Sequence, residues 1–236
     1  MTERGRDSMA RDASSFTIGP SSLHWHRDHL EIDIREIGMP VPWPVRGKVR
    51  VFPSSLSTFS TALDDHGRHR WGPLAACARV EVEMSKPSQR WRGHGYLDSN
   101  EGDEPVSAPF REWDWSRALL SDGSAAVIYD VQQKQGGDRL LGLRFSPNGR
   151  IEEFLPPPRQ SLELTRWRIP RRMRSEGDVP VRIIDMLEDT PFYERSVLKS
   201  RLFGEDVISV HETLNVPRLN TAMTRLMLPW KMPRLK

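Results

Sequence analysis

The chain has 236 residues, with 35 lysines and arginines against 32 aspartates and glutamates, and a formal net charge of +3. This balance gives no argument for nucleic-acid binding, and no stretch approaches the roughly 20 apolar residues of a membrane-spanning helix. Cys77 is the single cysteine, which excludes a disulfide framework, a paired-cysteine redox site and a cysteine-rich zinc site.

Alternation of apolar and polar residues with a period of two dominates the chain and predicts β-strands. In chain order, the predicted strands lie at residues 30–35, 49–51, 80–84, 125–131, 140–145, 150–154, 182–186 and 207–214. Asn148-Gly149 between two apolar runs predicts a β-hairpin. Residues 219–228 are the best candidate for a short helix. The pattern indicates a mainly β protein built as a sandwich or barrel.

A glycine-rich, acidic and aromatic stretch at residues 91–104 interrupts this alternation, which resumes near Arg117. We therefore place a domain boundary there, which gives domains at residues 1–90 and 91–236.

Most of the basic residues are arginines, and the densest run lies at residues 166–174. Leucines that alternate with polar residues before this run favour a strand over residues 162–168 that continues into a polar turn. Phosphate binding and contact with anionic lipid headgroups are the alternatives.

Familiar motifs for nucleotide, calcium and serine-hydrolase sites are absent from the sequence. His24, His26 and His29 lie close together, and His66 and His69 have the spacing HxxH. His24 and His26 would share one face of a strand and could chelate zinc. Their polar surroundings are typical of an exposed turn, so structural or solvent-exposed histidines are favoured, and we expect no metal and no cofactor.

The most informative stretch is Gly95-Tyr96-Leu97-Asp98, in which Tyr96 and Asp98 would lie on one side of a strand. Composition alone favours a structural interpretation, because tryptophan fills β cores and an aspartate beside glycine and asparagine is typical of a turn. The chemical alternative is a carboxylic acid in a dry aromatic pocket, which can keep its proton at neutral pH and give it to an alkene. Tryptophan and tyrosine faces would stabilise the resulting carbocation.

Several runs of the sequence resemble the hydroxyneurosporene synthase family, the carotenoid 1,2-hydratases. They include Arg68-His69-Arg70-Trp71 and Gly95-Tyr96-Leu97-Asp98. The matching runs lie in order along the chain at residues 1–6, 18–23, 46–49, 67–71, 95–100, 102–105, 113–117, 187–193, 210–212 and 227–229. The resemblance implies two lipocalin-like antiparallel β domains, barrels or sandwiches. In the family, the run at 1–6 is internal, so the resemblance also implies an N-terminally truncated chain whose first domain is incomplete.

For function, the resemblance implies a cofactor-independent hydro-lyase that adds water to the terminal double bond of an acyclic carotenoid such as neurosporene or lycopene. It implies Asp98 as the proton donor, with Tyr96 and Trp71 stabilising the cation. Asp103, Glu104 and Asp114 are weaker candidates, expected to be structural or to act on the site through its other residues.

The expected partners are the carotenoid, water and a membrane surface, without nucleic acid. We expect a cytoplasmic protein or one peripheral to the inner or photosynthetic membrane. The alternatives are a non-catalytic isoprenoid-binding protein, another reaction on the same scaffold such as cyclisation, and an inactive remnant.

Overall fold

The computed structural model describes residues 4–38, 41–177 and 179–231, so part of the matching run at residues 1–6 lies outside the described residues. The protein is mainly β, as the sequence predicts, and its described strand pairings are antiparallel. The described residues divide into two compact units, the first with residues 1–56, 75–97 and 225–236, the second with residues 57–74 and 98–224. Compactness does not test independent folding, so the domain boundary after residue 90 stays a prediction.

The first unit is built from strands that lie side by side in one sheet. They are β1 (Met9–Arg11), β2 (Ser15–Ile18), β3 (Ser21–Trp25), β4 (Leu30–Ile37) and β5 (Pro44–Pro53), followed by parts of β7 (His69–Lys86) and β8 (Ser88–Gly102). The core contains Leu30, Val51 and Val80, one from each of three successive strands of the sheet. These three residues lie in the predicted strands, whose alternation therefore marked the core-facing side.

The second unit holds a seven-stranded sheet with the strand order β12-β11-β10-β9-β17-β16-β15. Its strands are β9 (Phe110–Leu119), β10 (Ala125–Gln133), β11 (Arg139–Phe145), β12 (Ile151–Glu153), β15 (Arg182–Asp189), β16 (Tyr193–Leu202) and β17 (Glu205–Asn215). In the described part of the chain, the pairings of this sheet end at β12 on one side and at β15 on the other. The predicted hairpin at Asn148-Gly149 is confirmed, because Phe145 of β11 pairs with Ile151 of β12.

The smaller elements complete the fold. They are β6 (Thr61–Ala62), the pair β13 (Arg159–Ser161) and β14 (Arg172–Arg174), and the helices α1 (Val216–Leu219) and α2 (Ala222–Lys231). Helix α2 confirms the helix predicted near residues 219–228. None of the helices in the described part of the chain has the length and apolar character needed to cross a bilayer.

Two sequence interpretations are wrong. Residues 91–104 do not break the strand pattern, because β8 runs through them from Ser88 to Gly102. A Cβ on Gly95 would lie 3.3 Å from the Val80 side chain, so this glycine allows close packing within a strand instead of ending it. The strand predicted over 162–168 is also absent, because β13 ends at Ser161. The backbone turns where the Arg168 N–H donates to the Thr165 carbonyl, and Arg168 has a φ of 57°.

Candidate active site

Strands β7 and β8 bring Trp71 and Asp98 together in the second unit. The indole Nε1–H of Trp71 donates to Asp98 Oδ2 over 2.8 Å. Trp71 is 1% exposed, whereas Arg70 before it is exposed, so β7 alternates here between a buried and an open side. Asp98 is half-buried. The predicted acid is therefore on a strand, and its carboxylate is held by a buried aromatic donor.

Aromatic rings surround Trp71 inside the second unit. The Tyr129 ring meets Trp71 edge to face, with centroids 5.4 Å apart, and Phe59 does so at 6.4 Å. Trp113 packs on the other flank of Tyr129 at 6.2 Å. Burial, together with the negative charge of Asp98, raises the pKa of Tyr129 well above its ordinary value. Tyr129 is thus a neutral, electron-rich ring beside Trp71, and the sequence analysis did not single it out.

Tyr96 lies two residues before Asp98 on β8 and is half-buried. Because side chains alternate along a strand, Tyr96 and Asp98 leave β8 on the same side. Tyr96 belongs to the first unit, whereas Trp71 and Asp98 belong to the second. Of the three residues expected at the site, Trp71 and Asp98 are joined by the hydrogen bond described above.

His69 is a second residue on the buried side of β7, two positions before Trp71. Its Nε2 lies 3.0 Å from the backbone carbonyl oxygen of Glu104, and its ring meets Phe110 at 4.9 Å. The backbone N–H of His69 also donates to the buried Asp64. Burial acts to raise the pKa of Asp64, but hydrogen bonds from the backbone N–H groups of His69, Arg68 and His66 hold it below its ordinary value. Of the two histidines with the HxxH spacing, His69 is buried and His66 is exposed.

The other acidic candidates pair with neighbouring side chains. Glu104 accepts from Arg68 over 2.8 Å, and Asp103 lies 3.8 Å from Arg70. Asp114 is buried on β9 and accepts from the Thr213 hydroxyl over 2.6 Å. A structural role for these three residues stays a prediction.

A buried charged network occupies the second unit around Glu194 and His211. Arg171 donates to Glu194 over 3.0 Å, and His211 Nδ1 lies 2.7 Å from the same carboxylate. His211 Nε2 lies 2.9 Å from the Arg172 carbonyl oxygen. Both partners of the imidazole are acceptors, so both ring nitrogens carry protons.

The pKa values in this network follow from burial and from these contacts. Burial acts to lower the pKa of His211, but Glu194 and Asp114 raise it above its ordinary value. Burial acts to raise the pKa of Glu194, but the imidazole and Arg171 lower it overall. Burial raises the pKa of Asp114 in spite of the nearby imidazole and Thr213.

The same contacts account for the arginine-rich run. Three of its members are paired with acidic side chains, Arg171 with Glu194, Arg172 with Glu112, and Arg174 with Asp130. These arginines bind carboxylates of their own unit.

A cavity of about 150 Å³ opens beside β7 in the second unit, and Trp71 is one of the residues that line it. Phe59 lines it as well, together with Arg70 and Gly72. Ser99, next to Asp98, contributes from β8. The cavity therefore reaches the Trp71 residue that donates to Asp98.

Comparison with known proteins gives a consistent result. Residues 1–236 match the family described as carotenoid hydratase CrtC. The chain is 57% identical, over 99% of its length, to the acyclic carotenoid 1,2-hydratase of Rubrivivax gelatinosus, and 46% identical, over 100%, to that of Thiocapsa roseopersicina. It spans 58% of the length of each of these relatives. A protein of the same name from Cereibacter sphaeroides is 35% identical and is covered over 84% of its length. No solved structure matches.

Proposed function

Because this chain belongs to the carotenoid hydratase family, we propose that it is a cofactor-independent hydro-lyase that adds water to the terminal double bond of an acyclic carotenoid of the neurosporene or lycopene type. The observation that carries the proposal is the hydrogen bond from the buried Trp71 indole to the Asp98 carboxylate. It supports an acid on a strand, beside aromatic rings, where proton transfer to an alkene is chemically reasonable.

In the first step, Asp98 gives a proton to the substrate. The Trp71 indole N–H donates to Oδ2 of this carboxyl group. The π electrons of the terminal double bond form a new C–H bond at the less substituted carbon, and the O–H bond of the carboxyl group breaks. The positive charge then forms on the tertiary carbon. The Trp71 N–H stabilises the carboxylate that this step leaves behind.

Aromatic faces stabilise the tertiary carbocation. Each such ring contributes on the order of 1–2 kcal/mol when water is excluded. In our proposal, Trp71 and Tyr96 have this role. The T-shaped contact with Tyr129 supports it, because that contact holds the Trp71 ring in one orientation.

In the last step, water attacks the tertiary carbon and the carbon–oxygen bond forms. The oxonium ion loses a proton to Asp98, directly or through a second water, which restores the carboxyl group. The product is a tertiary alcohol, and one residue has acted first as acid and then as base. This cycle is balanced without a metal, a nucleotide or a redox partner.

The substrate is long and apolar, so we propose that the protein meets it at a membrane surface. Trp43, which precedes β5, is 70% exposed, and tryptophan is favoured at the interface between lipid and water. Flotation with liposomes tests this part. Recovery of the chain with the vesicles supports it, and absence from the vesicles at every salt concentration contradicts it.

The reaction is tested by incubating the purified chain with lycopene in detergent or liposomes, without added cofactor. We expect a product with one added water, whose oxygen comes from isotopically labelled solvent. Asp98→Asn removes the proton donor but keeps the shape of the side chain. We expect the rate of hydration to fall by about 100- to 10,000-fold, which is the usual contribution of general acid catalysis. Asp103→Asn, at an exposed ion pair, is the matched control.

Two outcomes would contradict the proposal. If lycopene binds and shifts its absorbance but is recovered unchanged, the chain is a binding protein. If Asp98→Asn turns over at the full rate, the assigned donor is wrong.

A further inference from the structure

The turn between β3 and β4, in the first unit, places three histidines and one glutamate on a single face. His24 pairs with Glu31 and Trp25 with Leu30 across the two strands. The His26 N–H donates to the His29 carbonyl over 2.8 Å, which closes the turn. Because cross-strand pairs alternate between the two faces of a hairpin, the pair His24–Glu31 and the pair His26–His29 share one face.

The opposite face of the same hairpin belongs to the core. Leu30 is 4% exposed, and Trp25 packs against the core cluster that contains it. His24 and His26 are exposed, and His29 is half-buried. The imidazoles therefore project away from the core, where a ligand can reach them from solvent.

The side chains on this face are already close to one another. The ring centroids of His24 and His26 are 4.7 Å apart, and those of His26 and His29 are 4.6 Å apart. One nitrogen from each of His26 and His29 and one oxygen of Glu31 all lie within 4.8 Å of one another. Donor atoms bound to one zinc ion at about 2.0–2.2 Å lie somewhat closer together than this, so rotations of these side chains are enough to close the set.

We propose that His24, His26, His29 and Glu31 bind one divalent transition metal ion of the zinc type. Imidazole nitrogens with one carboxylate oxygen are ligands that zinc accepts in tetrahedral sites. The site is separate from the proposed hydration chemistry, because its four ligands do not include Asp98, Trp71 or Tyr96. A metal bound here would link β3 to β4 across their turn.

Asp28 orients one of the ligands. Its Oδ1 lies 2.8 Å from His29 Nδ1, and the hydrogen bond to His29 lowers the pKa of Asp28. This contact leaves His29 Nε2 for the metal. A carboxylate on the second nitrogen of a metal-binding histidine is the usual outer partner in such sites.

Two cations compete with the metal for Glu31. Its Oε1 accepts from Lys48 over 2.6 Å and its Oε2 from Arg50 over 2.9 Å. The hydrogen bond from Lys48 comes first among the contacts that hold the pKa of Glu31 below its ordinary value, so the carboxylate is ionised. Lys48 is 42% exposed and can move into solvent, while Arg50 keeps the other oxygen. The metal must displace Lys48 from Glu31, which lowers the affinity of the site for the metal but does not prevent binding.

The test is calorimetric titration of the chelator-treated protein with Zn²⁺, together with Co²⁺ as a spectroscopic probe. We expect one equivalent to bind, a visible Co²⁺ band typical of nitrogen and oxygen ligands, and a higher melting temperature in the presence of Zn²⁺. Removing two ligands with His26→Ala/His29→Ala should weaken binding by about 100-fold or more, because even outer-shell changes cost about 10- to 100-fold.

His94→Ala is the matched control, because His94 is exposed in the first unit but lies outside the hairpin. It should bind Zn²⁺ like the unchanged chain. The proposal is overturned if the unchanged chain binds no Zn²⁺, or if the double variant keeps the same affinity and Co²⁺ spectrum. Circular dichroism of the variants separates a lost site from a lost fold.

Discussion

Replacing Trp71 with phenylalanine tests the contact on which the proposed chemistry depends. The change keeps an aromatic ring but removes the indole N–H that donates to Asp98 over 2.8 Å. A hydrogen bond to a charged group contributes about 1.5–3 kcal/mol. In the proposed first step, Asp98 changes from a neutral acid to a carboxylate, so most of this stabilisation applies to the transition state. At about 1.4 kcal/mol per tenfold change, Trp71→Phe should slow turnover about 10- to 150-fold.

The assay is the initial rate of hydrated product formed from lycopene, measured beside Asp98→Asn. Trp71 is 1% exposed, so the smaller ring also leaves a space that lowers the free energy of unfolding by about 1–3 kcal/mol. Urea denaturation monitors this loss separately from the rate. Trp91→Phe, at an exposed position, controls for general effects. A folded Trp71→Phe variant with the full rate, beside an inactive Asp98→Asn variant, would refute the role of the indole N–H.

Three further changes test the second unit. Glu194→Gln leaves Arg171 and His211 buried without their carboxylate, so urea denaturation should show a loss of about 3–5 kcal/mol. The pKa of His211 is raised in the folded state, so its contribution to the free energy of unfolding is complete below the ordinary histidine value of about 6.5. This contribution falls as the pH rises through the pKa of the folded state. Denaturation as a function of pH should show this slope, and His211→Asn should abolish it. In Gly72→Ala, the new Cβ would clash with the Phe59 carbonyl oxygen, which should cost about 1–3 kcal/mol in thermal unfolding.

The sequence predicted the elements in which the two sides of a strand differ most clearly. Strands β4 and β17 lie where the apolar alternation placed them, and β10 lies where an apolar run predicted a strand. The short strands β6, β13 and β14 have two or three residues each, too few for a period of two to be recognised. The glycines of β8 suggested a break in the strand pattern. Gly95 instead allows close packing inside the strand, and amino-acid composition alone does not distinguish such a glycine from one in a turn.

The candidate site was predictable only in part. The resemblance named Trp71 and Asp98, and the hydrogen bond between them is a tertiary contact across 27 positions of sequence. Tyr129 carried no signal, since it lies in an apolar run that predicts only a buried strand. The partners of the arginine-rich run were also invisible, because Glu194 and Asp130 are distant in the chain from the arginines that bind them.

The period of two that builds the second unit also separates two kinds of chemistry. Trp113 and Asp114 are neighbours on β9, and Tyr129 and Asp130 are neighbours on β10, so each pair divides between the two faces of the sheet. The register pairs Asp130 with Asp114 on one face, where the arginines of β14 neutralise acidic groups. The other face carries Tyr129 against Trp71. A shift of one residue in the pairing of these strands would move the side chains of one strand to the opposite face. It would bring the ion-paired carboxylates to the face with the aromatic rings, where the proposed carbocation requires electron-rich rings and no water. The alternation therefore constrains the proposed reaction as directly as it constrains the fold.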